Sequence, residues 1–196
     1  MLYPYAGFRS VFKGDLYRQK KINGVHVIAL NSTSRFRHVQ GDLNLEKLRR
    51  KLNCFSDDSL IRIVTFHHPM ACPKYVDVKN LIKGRNEVMK ILAEYKVDLV
   101  LGGHIHDPHV TLSTEHYHDV ERASIFSVAG TCLSWRTRAN APNSFHLLEI
   151  DVDDSPRLEI IRYDIHKDEL IFKPISSQRF AKDGEKGWRN LIETSL

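Results

Sequence analysis

The sequence predicts a layered α/β protein with an antiparallel portion, organised as a single domain. Three observations carry this. Strand-like and helix-like segments alternate up to His106, whereas short strands and turns dominate from Val110 onward. Two segments place apolar residues along one face at helical spacing. The 196-residue chain is long enough for one full core and does not demand two.

Taken in order, residues 1–24 are aromatic and basic without clear periodicity. They read as a loop or short helix followed by a strand-like piece near Leu16-Tyr17. Asn23-Gly24 is a hairpin signal, and Val25-His26-Val27-Ile28-Ala29-Leu30 is the strand after it. His26 inside that strand reads as a packed or exposed strand residue, not a ligand. The polar loop Asn31-Ser32-Thr33-Ser34 closes the strand, and Arg35-Phe36-Arg37-His38 passes over the surface. Asp42 is placed to cap a helix in which Leu45, Leu48 and Leu52 share one face and Lys47, Arg49, Arg50 and Lys51 meet water. A turn at Phe55-Ser56-Asp57-Asp58-Ser59 precedes the β-branched strand 60–66, which ends in His67-His68-Pro69.

A long loop with Pro73 and Gly84 leads into a second helix around residues 85–95, with Val88, Ile91, Leu92 and Tyr95 on its apolar face. The run Val97–Leu101 then reads as a buried strand, ended by Gly102-Gly103. Further strands are expected at Val110–Leu112, Ser124–Val128, Phe145–Ile150, Leu158–Tyr163 and Leu170–Phe172. A domain over 1–180 is thus followed by a polar stretch, 181–196, which reads as a docked or frayed tail.

Composition narrows the class. The apolar and charged fractions, 42% and 27%, are those of an ordinary globular protein. No run of about eighteen apolar residues is present, so no membrane span is expected, and the amino terminus has no basic-then-apolar leader pattern. Cys54, Cys72 and Cys132 are odd in number and widely spaced, which suits free thiols in a reducing, cytoplasmic setting. The formal charge of +5 is mild; it fits either solubility or a phosphate-bearing substrate. The cations at 47–51 have no interleaved aromatic residues, so nucleic acid is not the favoured partner. Nothing in the composition fixes an oligomeric state.

The chemistry concentrates around Gly102-Gly103-His104-Ile105-His106. In an extended segment, side chains at i and i+2 leave the same face, so both imidazoles can address one spot. That spot lies beyond the carboxyl end of a strand, where open α/β sheets hold their ligands. Imidazole is the commonest neutral metal ligand. His67 occupies an equivalent position, and if the two strands are parallel neighbours joined by the 85–95 helix, His67, His104 and His106 converge. Of His67 and His68, which face opposite ways along an extended chain, one is expected to ligate and the other to pack or hydrogen-bond. Pro69 fixes the backbone after them. His109, His116, His118, His146 and His166 carry no comparable setting.

The ordered blocks Phe66-His67-His68-Pro69 and Gly103-His104-Ile105-His106, with closing strands Val128-Ala129-Gly130-Thr131 and Asn143–Ile150, resemble the calcineurin-like metallophosphoesterases. The likeness is to single-domain bacterial members that act on cyclic nucleotides. It implies an α-β-β-α metallophosphoesterase sandwich and hydrolysis of phosphodiesters or phosphomonoesters by a two-metal-activated hydroxide. His67 and His104 then correspond to ligands of the second metal and His106 to a ligand of the first. Arg136 and Arg138, after Thr131-Cys132-Leu133-Ser134-Trp135, would lie near a substrate phosphate. The ions would be Mn, Fe or Zn.

Three blocks of that family's pattern have no counterpart: Asp-X-His, the metal-binding Gly-Asp, and Gly-Asn-His-Asp. Gly14-Asp15 and Gly41-Asp42 follow no apolar strand, and Gly41-Asp42 reads as a helix start. Leu2-Tyr3-Pro4-Tyr5 resembles the piece that follows the third block, so the fold is expected to be incomplete at its amino-terminal side. The absent blocks would bring the bridging carboxylate and the general acid, leaving no residue assigned as catalytic. Two cations about 3.5–4 Å apart need a bridging anion, and three neutral imidazoles supply none. The chain by itself is therefore expected to hold one metal or none and to be weakly active or inactive. The alternatives are a non-catalytic remnant that binds a partner chain or nucleic acid through a basic face, and a mononuclear zinc protein.

Overall fold

A computed structural model describes residues 5–12, 16–33, 39–54, 60–138, 141–166 and 168–195. Gly14-Asp15, Arg35-Phe36-Arg37-His38, the 55–59 turn and most of Leu2-Tyr3-Pro4-Tyr5 lie outside these residues.

Asn23 and Gly24 both take positive φ, 45° and 76°, so the backbone twist of the turn matches that of the flanking strands. The turn joins β1 (Arg18–Ile22) to β2 (Val25–Ala29) in an antiparallel hairpin. β1 therefore begins two residues beyond the expected Leu16-Tyr17. It is exposed along its length and rich in cations, which discourages edge-to-edge pairing with other chains. β2 pairs in parallel with β3 (Ile61–Thr65), and β3 with β4 (Leu99–Gly102). β4 pairs in parallel with β6 (Ile125–Val128), and β5 (His109–Leu112) closes the six-stranded sheet antiparallel to β6. A second, fully antiparallel sheet runs β10-β9-β8-β7, from Ser144–Asp151 (β7), Arg157–His166 (β8), Ile171–Asp183 (β9) and Gly187–Ser195 (β10).

The helices belong to the first half. After the short α1 (Ala6–Phe12), α2 spans Leu45–Leu52 and α3 spans Arg85–Glu94. No described residue after Glu94 is α-helical. The cap of α2 is Asn44, not Asp42: the Asn44 carboxamide oxygen accepts from Lys47 N at 2.8 Å. Leu48 and Leu52 are buried, whereas Leu45 remains exposed in the first turn. On α3 the expected Val88, Ile91 and Leu92 are buried, joined by Met89.

Two apolar cores result. One lies between α2, α3 and a face of the six-stranded sheet, built from Leu48, Leu52, Val64, Val88, Leu92, Val100 and Phe126. The other lies between the sheets, where Ile61, Ile63, Leu99 and Ile125 meet Leu158, Ile160, Phe180 and Trp188. Residues 181–195 are thus no tail. They complete β9 and form β10, and Trp188, the one large aromatic residue in a polar stretch, is 2% exposed.

Asp98, 1% exposed at the amino-terminal end of β4, ties the layers together. It accepts from Arg62 N (2.9 Å), Arg122 Nη2 (2.7 Å) and Trp188 Nε1 (3.0 Å), and pairs with Lys182 at 3.2 Å. A carboxylate withdrawn from water is tolerable only with such a set of donors. Asp98→Ala is expected to lower unfolding free energy by about 3–5 kcal/mol, because two cations and an indole N–H lose their acceptor; urea denaturation measures this.

His146, on the inner face of β7, bonds through Nδ1 to Ser127 Oγ at 2.8 Å. Burial first, then the nearby Arg162 charge, pulls its pKa down to about 4. The unfolded chain takes up this proton near 6.5 and the folded chain only near 4. The contribution is therefore complete above pH 6.5 and is lost as pH falls toward 4, amounting to about 3 kcal/mol. His146→Gln is expected to flatten this part of the stability–pH curve, measured by denaturation at several pH values.

Candidate functional site

The parallel pairing of β3 with β4 brings their carboxyl ends side by side, with α3 as the crossover. Phe66 N donates to Leu101 O, and Gly103 N donates to His67 O at 2.9 Å, so the two loops leave the sheet stitched together. His67 and His104 meet there. His67 Nε2 lies 3.0 Å from His104 Nδ1, with ring centroids 4.9 Å apart.

Hydrogen-bond partners define the protons. A carbonyl only accepts, so the 3.0 Å contact from His104 Nε2 to Val39 O places the proton on Nε2. His104 Nδ1 is then a lone pair, and neutral His67 donates to it from Nε2. Both pKa values lie below that of ordinary histidine. For His67 the causes are desolvation, then the charges of His104 and His106. For His104 desolvation prevails over the opposing Val39 bond. The two rings are neutral at pH 7, the form that ligates metal.

His106 sits two residues on, but the link is not extended. His104 and His106 take positive φ, 70° and 53°, a region sparsely populated by non-glycine residues and found at functional sites. The alternation argument thus fails, because left-handed turns rather than a strand aim these side chains. His106 Nδ1 donates to Arg136 O at 2.6 Å, leaving Nε2 as a lone pair. A carbonyl that fixes the tautomer in this way is the usual support of a metal-binding imidazole.

His68 is the packed member of its pair, 1% exposed. Ser32 Oγ meets His68 Nδ1 at 2.9 Å and His68 N at 3.2 Å. Gly41 packs closely against His68: a Cβ there would come within 2.5 Å of His68 Cβ and 2.6 Å of its Cγ. The Gly41-Asp42 pair is thus a close-approach site, with Gly41 bridging to Ile82 in parallel. The two arginines differ in setting. Arg138 Nη1 donates to Asp77 Oδ1 (2.9 Å) and Ile105 O (3.1 Å), and the exposed Arg136 guanidinium lies 5.7 Å from the Trp135 ring centroid.

Nitrogens 3.0 Å apart are close to the separation of two ligands on one ion, each about 2.0–2.1 Å away. Yet among the described residues no group of three or more His, Cys, Asp or Glu side chains is gathered closely enough to hold a metal. Asp107 is paired with Lys74 at 2.6 Å and Asp77 with Arg138. Ser32, Gly41, Asp77 and the Arg136 carbonyl escaped sequence reasoning. Each acts through a long-range contact, and only the glycine left a signal.

Known proteins bear on this geometry. The sequence model of the Calcineurin-like phosphoesterase family (Metallophos) matches residues 3–108, more than half of the chain. No curated protein sequence matches. Among solved structures, GAP50, the anchor in the inner membrane complex of Plasmodium, is similar at 12% identity over 92% of this chain and 52% of its own, with a TM-score of 0.40. A phosphatase from Mycoplasma pneumoniae is similar at 14% identity over 93% of this chain and 59% of its own (TM-score 0.34). A hypothetical protein from Thermus thermophilus is similar at 15% identity over 86% and 62%, also with a TM-score of 0.34. The chain spans roughly half to three-fifths of the length of these structures. With the His67-His68-Pro69 and Gly103-His104-Ile105-His106 loops inside the matched region, the chain belongs to the calcineurin-like phosphoesterase family.

Proposed function

We propose a metal-dependent phosphoesterase in which this chain supplies the imidazole side of the centre, His67 and His104, with His106 beside them. The observation that supports this most is the 3.0 Å pair of ring nitrogens at the carboxyl edge of two parallel strands. A bound divalent cation there would supply Lewis acidity to a phosphoryl oxygen and lower the pKa of bound water. The chain's own residues prepare for it. His104 is oriented through Nε2 by Val39 O and keeps Nδ1 as a lone pair. His67 must pass its proton from Nε2 to Nδ1 to present a second lone pair. His106 already holds its proton on Nδ1.

The two donors of the pair are neutral, so the site lacks the anion that two cations require. A dinuclear centre would need carboxylates beyond those described, and the chain by itself is weakly active or inactive on phosphodiesters and phosphomonoesters. The free thiols of Cys54, Cys72 and Cys132 support a cytoplasmic setting.

Two measurements test this. Hydrolysis of a generic aryl phosphodiester with Mn²⁺ should be weak for this chain; robust turnover would overturn this reading. Metal analysis after equilibration with Zn²⁺ should find about one ion per chain, with His67→Ala or His104→Ala weakening retention at least about tenfold. No retained metal, together with salt-dependent binding to DNA or RNA, would instead favour a non-catalytic role.

A further inference from the structure

The turn carrying His104 and His106 is held from outside by one side chain. Arg138 Nη1 donates to the carbonyl of Ile105, the buried residue between the two histidines, at 3.1 Å. The same nitrogen donates to Asp77 Oδ1 at 2.9 Å. Asp77 is 3% exposed on the 3₁₀ helix Tyr75–Asn80, and its Oδ1 also accepts from Asn80 Nδ2 at 3.2 Å. Arg138 belongs to the segment whose Arg136 carbonyl accepts the hydrogen bond from His106 Nδ1. On the far side, Lys74 just before the 3₁₀ helix pairs with Asp107 just after the turn.

Two closely spaced excursions to positive φ persist only where the surroundings over-determine them. Here the over-determination has named sources: a cation anchored by a buried carboxylate grips the middle carbonyl, and the next loop grips the second ring. A charge-assisted bond of this kind is among the stronger ones available. Nη1 of Arg138 is committed to this carboxylate and carbonyl.

We infer that Arg138, held by Asp77, is the positioning residue of the His104–His106 turn, fixing the His106 tautomer that leaves Nε2 open to a cation. Its effect on metal affinity rests on the reading under Proposed function; its effect on the tautomer does not.

The test uses the full chain, ¹⁵N-labelled and metal-free, at a pH well above the ordinary histidine pKa. Long-range ¹H–¹⁵N spectra report which nitrogen of each imidazole carries the proton, with His106 assigned through His106→Asn. Wild type is expected to show His106 protonated on Nδ1 only. Arg138→Ala and Asp77→Asn are expected to give a mixture of tautomers, while His146, bonded to Ser127 elsewhere, keeps its signals and reports an intact fold. Arg138→Lys, which retains the charge beside Asp77, should recover most of the wild-type pattern. In a competition titration with Zn²⁺ alone, Arg138→Ala and Asp77→Asn should bind about 10–100-fold more weakly.

An unchanged His106 tautomer in folded Arg138→Ala overturns the inference, as does, where wild type binds Zn²⁺, an affinity in Arg138→Ala equal to wild type. Should Arg138→Ala fail to fold, Asp77→Asn and Arg138→Lys carry the comparison under the same criteria. If wild type binds no Zn²⁺ but the tautomer shifts in the variants, the metal reading falls and the positioning role stands.

Discussion

The parallel pairing of β3 with β4 is the constraint on which the site depends. Ile63 lies opposite Leu99, Val64 opposite Val100 and Thr65 opposite Leu101, so the strands reach their carboxyl ends at nearly the same height. A slip by one residue would turn the apolar side chains from one face to the other and separate the loops. Val64 and Val100 are locked against the helices, while Ile63 and Leu99 are locked against the second sheet. Burial on both faces thus fixes the register, and the register brings the His67 and His104 rings into contact.

Charge is distributed unevenly along these strands. At the amino-terminal end, buried Asp98 collects Arg122, Lys182, the Trp188 indole and a backbone amide. At the carboxyl end, His67 and His104 are neutral and the carboxylates of Asp107 and Asp77 are neutralised by Lys74 and Arg138. The fold spends its strong ion pairs on joining layers and bracing loops. It leaves the rim with neutral imidazoles and paired carboxylates.

What was legible in the sequence follows from periodicity. The β-branched strand before His67, the strand before Gly102 and the i, i+3, i+4 face of α3 each carry a local pattern, and together they imply the parallel crossover. Asn23-Gly24 marked its hairpin for the same reason. The cap of α2 was misplaced by two residues because Asp42 and Asn44 are both good cap residues, and only backbone geometry chooses. The stretch after Ala181 reads as a tail in sequence because polar residues alternate on a half-exposed strand, and a single Trp188 is too sparse a signal. The His104–His106 conformation was hidden entirely, since nothing in Gly-His-Ile-His announces a left-handed backbone. Arg138 stands out in sequence by its charge, but its partner Asp77 lies 61 positions away along the chain.

The bond from Trp188 to Asp98 spans 90 positions. A ribosome extends the chain from its amino end, so the strand–helix half emerges well before the residues that neutralise and cover Asp98. During synthesis that half carries a carboxylate at the margin of an unfinished apolar layer, with Ile61, Leu99 and Ile125 still facing solvent. Final closure must wait for the last hairpin, and nascent chains are at their most aggregation-prone in the interval before it arrives.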